Sequence, residues 1–124
     1  MTEATQLLRE AVRTNTVQDA ISYFAAEPEG RFYRMGSNTS CAVAQFFEAK
    51  VGAEVLCSLS GINVRYDIEP GFDVSFQRNH WAAILQDKGI DLESERRGSG
   101  LSREDVLKIL EDIKNGKYDP TESK

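Results

Sequence analysis

Cysteine, histidine and long apolar runs are what this chain has least of. It holds two cysteines, one histidine, three prolines and one tryptophan in 124 residues. Cys41 and Cys57 stand 16 positions apart, with no second pair and no histidine at ligand spacing, which argues against a structural zinc site. Apolar runs extend only a few residues, too short for a helix that crosses a bilayer. The opening stretch, Met1 to Gln6, lacks the basic start and apolar core of a signal peptide, so a cytoplasmic protein with reduced thiols is expected. Asn38-Thr39-Ser40 fits a glycosylation acceptor, which a cytoplasmic chain would not use.

Several familiar chemistries are absent too. Gly98-Ser99-Gly100 lacks the further glycine and the Lys-Ser/Thr of a phosphate-binding loop. There is no Gly-x-Ser-x-Gly elbow and no His-Glu-x-x-His. Asp87, Asp91, Glu93 and Glu95 form an acidic group without the spacing of an EF-hand, and read as a solvated surface. No metal and no cofactor is expected.

What the chain has is the balance of an ordinary globular domain: 40% hydrophobic and 28% charged residues. One domain over residues 1–118 is expected, with 119–124 a polar tail. The net charge is −5, from 20 acids against 15 bases. Such a surface does not suit the phosphate backbone of nucleic acid, which rewards clustered Lys and Arg. It does suit a protein partner, or mimicry of nucleic acid by carboxylates.

Periodicity predicts a helix over about 3–13, with Leu7, Leu8, Ala11 and Val12 on one face. A second follows from Thr16, which with Asp19 resembles a capping box, and carries Val17, Ala20, Ile21 and Phe24. The two helices read as a packed pair. Arg31 to Met35 is a short strand or an extended linker. Thr39 or Ser40 would cap a third helix running to about Lys50, placing Cys41 in its first turn. A β-hairpin is predicted across 54–68, with Ser60-Gly61 as its turn. That register opposes Leu59 to Ile62, Cys57 to Val64 and Val55 to Tyr66. A fourth helix is predicted over 75–88, ending at Gly89, then a loop over 93–100. Ser102 and Asp105 open a fifth helix with Val106, Ile109, Leu110 and Ile113 inward. The class is α+β: a small antiparallel sheet packed against about five helices.

Two groups of residues carry possible chemistry. Cys41 at a helix start, with unpaired backbone N–H groups nearby, favours a thiolate, and His80 is the only imidazole available as its base. Together they would serve a cysteine-dependent hydrolase or transferase. The plainer reading puts His80 in the apolar arc of its own helix, between Phe76 and Ile84, and leaves Cys41 and Cys57 as packing residues. Arg31, Phe32, Tyr33 and Arg34 are the second group. Arginine and tyrosine are enriched at protein interfaces, so these four read as a partner-binding surface.

Cys41-Ala42-Val43-Ala44, the hairpin from Val55 to Tyr66 and Asp87-Lys88-Gly89 together resemble a set of small uncharacterised phage and mobile-element proteins. Those begin a helix with Cys-Pro-Ile/Val-Ala, continue into a short hairpin and end a helix near Asp-x-Gly. The resemblance spans about half the chain, with Ala42 in place of the proline. It implies a host- or partner-directed binding role. The expectation from the whole sequence is therefore an acidic binding or regulatory protein (an inhibitor, regulator or immunity-type module), with the cysteine enzyme as its rival.

Overall fold

A computed structural model describes residues 3–35, 41–57, 61–64, 74–77, 79–97 and 100–118. The chain begins with α1 (Glu3–Thr14) and α2 (Val17–Ala25). Thr16 caps α2 in a full capping box: its side chain accepts from the Asp19 N–H, and the Asp19 carboxylate accepts from the Thr16 N–H. Helix α1 buries Leu8, Ala11 and Val12 as expected, but Leu7 is half exposed. The two helices are not each other's main partners. Helix α1 rests chiefly on a third helix and a sheet strand, whereas α2 lies against the last helix.

The ambiguous segment after Gly30 is a strand, β1 (Phe32–Tyr33). Helix α3 (Ala42–Val51) follows, and Gly52 ends it in the left-handed region at φ 78°. Cys41 is the N-cap of α3, one position outside the first turn. Thr39 and Ser40, the caps expected from sequence, lie outside the described residues.

Strands β2 (Val55–Cys57), β3 (Gly61–Val64) and β4 (Val74–Ser75) form an antiparallel sheet in that order. The hairpin is present, but its register differs from expectation by two residues: Val55 opposes Val64 and Cys57 opposes Ile62. A shift of two keeps every side chain on its face, so Val55, Cys57, Ile62 and Val64 all remain buried. Gly61 is not a turn residue. It pairs with Ser75 on β4, and a Cβ there would come within 2.3 Å of the Val74 carbonyl oxygen. Only glycine lets the third strand approach so closely. Tyr66 and Ile68 lie outside the described residues.

Helix α4 (Trp81–Glu95) begins six residues later than the pattern suggests and runs through Gly89. Gly89 is placed by packing: a Cβ on it would meet the Met35 side chain at 2.8 Å. Glu93 and Glu95 are therefore helical rather than part of a loop; Gly98 and Ser99 lie outside the described residues. Strand β5 (Leu101–Ser102) pairs with β1 in a second, two-stranded sheet. Ser102 then caps α5 (Arg103–Lys114) in a second capping box with Asp105.

Five helices and two small antiparallel sheets make an α+β architecture. A single buried cluster draws on every helix and both sheets. Its centre is aromatic. Phe46 and Trp81 meet edge to face with ring centroids 5.2 Å apart, Phe47 stacks on Trp81 at 5.7 Å, and Phe24 meets Tyr33 edge-on at 5.4 Å.

Candidate functional site

Cys41 and His80, the proposed nucleophile and base, have separate tasks in the fold. His80 is not inside a helix. It is the N-cap of α4, with Nδ1 accepting the Ala82 N–H at 3.0 Å. Its other nitrogen, Nε2, is 2.8 Å from the Val12 carbonyl oxygen. A nitrogen that accepts from a backbone amide carries no proton, so the proton sits on Nε2 and is donated to Val12. This tautomer is assigned from the hydrogen-bond network. The ring then has no free lone pair with which to take a proton from a thiol.

The neighbouring tryptophan continues the same contact. Its indole N–H donates to the Asn15 carbonyl at 2.9 Å. The last carbonyls of a helix have no partners within it, and here the end of α1 finds them on α4. Phe76 stacks on the imidazole at 5.5 Å, so the ring is wedged between an aromatic face and a helix end. His80 and Trp81 together clamp the α1–α2 corner to the start of α4.

Cys41 faces a different neighbour. Its sulfur is 3.2 Å from that of Cys57; both residues are buried and no disulfide joins them. The spacing of 16 residues in sequence hid this meeting; it arises because α3 packs directly on β2. Cys57 Sγ also lies 3.1 Å from Gln86 Oε1 on α4, itself buried. Hydrogen bonding to Cys41 pushes the Cys57 thiol well above its ordinary pKa, and burial adds to the effect. Cys57 therefore keeps its proton at neutral pH.

The four residues expected at a partner surface divide. Phe32 is 65% exposed, and Leu7 at 49% is the other large hydrophobic with substantial exposure among the described residues. Arg31 and Arg34 flank it and are exposed. Tyr33 is fully buried and belongs to the core, because alternation along β1 sends neighbouring side chains to opposite faces. Its hydroxyl has no hydrogen-bond partner among the described residues, and burial raises its pKa to about 12. Arg31 bonds Gln45 Oε1 on α3 and lies over the Tyr33 ring at 5.7 Å. That contact ties Arg31 to α3 and to the buried side of β1.

Beside this edge is an open depression of ≈ 360 Å³ whose lining includes Tyr23, Gln45, Glu48, Gly52 and Glu54. It shares Gln45 with the Arg31 contact and holds no thiol or imidazole. The acidic group on α4 does not converge: no set of three or more metal-ligating side chains comes together among the described residues. No described helix is long and apolar enough to cross a membrane. Comparison with family models, curated proteins and solved structures gives no match to this chain.

Proposed function

We propose that this protein acts by binding another protein through the face built on β1, with Phe32 as the anchor and Arg31 and Arg34 as its polar rim. The single observation that carries the reading is Phe32 itself: a large aromatic ring left 65% exposed on a short, two-stranded sheet. Leaving such a ring in water forfeits roughly 2 kcal/mol that burial would return, and an aromatic anchor beside arginines is the composition of an interface hot spot.

Charge defines the partner. On a chain of net charge −5, Arg34 and Arg31, the latter 4.0 Å from the Glu27 carboxylate, put donors beside one exposed aromatic ring. This arrangement fits a protein segment that presents an apolar pocket rimmed by carboxylates. The commitments of His80 and the burial of Cys41 favour binding over thiol catalysis. A regulator or inhibitor role follows from binding of this kind.

Affinity capture with the immobilised protein and with its Phe32→Ala variant tests the reading. A protein retained by the parent and released by the variant, at unchanged circular dichroism, supports it. Equal retention by both would place the interface elsewhere.

A further inference from the structure

Two side chains with unspent redox chemistry meet where α3 rests on β2. The Cys41 and Cys57 sulfurs are 3.2 Å apart, closer than simple van der Waals contact and within about 1 Å of bonding distance. Neither thiol contributes to binding through β1, and packing alone would be served by alanine or valine. Each sulfur is anchored on a different element, Cys41 as the N-cap of α3 and Cys57 at the end of β2. A bond between them joins two neighbours that the core already holds together.

We propose that Cys41 and Cys57 form a reversible intramolecular disulfide on reaction with a hydroperoxide, which makes the α3–β2 junction an oxidation-sensitive site. Burial selects the oxidant. Cys41 is 0% and Cys57 5% exposed, so a small peroxide has an easier path to the pair than a bulky peptide disulfide.

Cys41 gives its proton to water and its sulfur attacks one oxygen of the peroxide; the S–O bond forms, the O–O bond breaks, and hydroxide (an alkoxide where the peroxide is organic) leaves and takes up a proton. Cys41 is then a sulfenic acid. The Cys57 sulfur attacks the Cys41 sulfur, the S–S bond forms, and the hydroxyl departs as water with the Cys57 proton. Two thiols have lost two electrons and one peroxide has gained them. Cys57 is placed for the second role because its sulfur already lies 3.2 Å from that of Cys41. Gln86 Oε1 loses the Cys57 S–H as a donor on oxidation, a penalty on the oxidised form that keeps the bond reducible.

The test treats the folded protein with hydrogen peroxide and follows intact mass and thiols alkylated after denaturation. The expected result is a monomer lighter by two hydrogens, with both thiols protected and both restored by dithiothreitol. Closing the intervening loop should also raise the melting temperature by on the order of 10 °C. Gain of oxygen on one cysteine without the S–S bond, a covalent dimer, or two thiols still free after a control cysteine has reacted would each overturn the proposal. In Cys57→Ala, Cys41 should be trapped by dimedone as the sulfenic acid, whereas the parent should give little adduct. Trapping absent from a folded variant would overturn the stepwise route. If the variant does not fold, the mass measurement on the parent still decides.

Discussion

Two polar clusters, one part-buried and one buried, share one core and have opposite character. At the α1–α2 corner, each polar group has a stable use: His80 bonds Val12 and Ala82, and Trp81 bonds Asn15. At the α3–β2 junction, two sulfurs face each other at 3.2 Å, with Gln86 Oε1 beside Cys57, and thiol hydrogen bonds are weak. The first cluster has spent its chemistry on holding the chain together. The second retains its reactivity because thiols make poor hydrogen bonds and good covalent ones. Burial alone does not separate a structural residue from a reactive one; the decisive matter is whether its lone pairs and protons are already committed.

The sharpest way to break the first cluster is at Trp81. Trp81→Ala removes a ring that touches Phe46 and Phe47 and also frees the Asn15 carbonyl, and should cost about 3–5 kcal/mol in chemical denaturation. Trp81→Phe keeps most of the packing and loses the indole N–H, so it should cost only about 1–2 kcal/mol. Equal losses for the two would mean that the clamp to α1 contributes more than the aromatic packing.

A smaller effect separates the clusters from each other. His80→Ala removes the cap of α4 and the donor to Val12, and should lower stability by about 1–2 kcal/mol. It should leave the rate of Cys41 alkylation, and the pH dependence of that rate, unchanged. A fall in thiol reactivity at neutral pH in a variant of native circular dichroism would restore the histidine as a base and return the cysteine enzyme to consideration.

Legibility in the sequence divides along physical lines. Both capping boxes, the arc of α5 and the alternation of the hairpin rest on residues within a few positions of one another, and each is readable. The failures have tertiary causes. Gly61 looks like half of a turn because Ser-Gly favours one, yet it is required by the approach of β4, a two-residue strand with no pattern of its own. Gly89 looks like a helix end because the reason for its lack of a side chain is Met35, 54 positions away. His80 fits an apolar helical arc by spacing alone, and its real partner is a carbonyl on α1. Of the four residues grouped by composition, Arg31, Phe32 and Arg34 are exposed and Tyr33 is buried, a division that a two-residue strand gives no alternation to read. The pairing of Cys41 with Cys57 has no local signal. The hairpin register alone could have placed Cys57 on the core face, and nothing in the sequence says which residue it meets there.

The smallest expected effect concerns the legible caps, and it sets a baseline for both clusters. Asp19 is held below its ordinary pKa by the Thr16 backbone N–H. Burial works to raise Asp105, but hydrogen bonds from Arg96 and Ser102 outweigh it and hold the carboxyl low. A carboxylate whose folded pKa is depressed adds stability above its unfolded value, near 3.8, and loses it as pH falls through the lower folded value. Stability should therefore be steady as pH falls from neutral to about 5 as far as these two groups are concerned, then decline below about 4. Asp105→Asn should flatten part of that decline and cost no more than about 1 kcal/mol at neutral pH, because the exposed Arg96 contact is screened by solvent. Cys57, whose pKa is raised, adds no such slope in acid. Urea titrations of the parent and Asp105→Asn between pH 3 and 7 measure the difference; an acid decline unchanged by the substitution would assign it to other carboxylates.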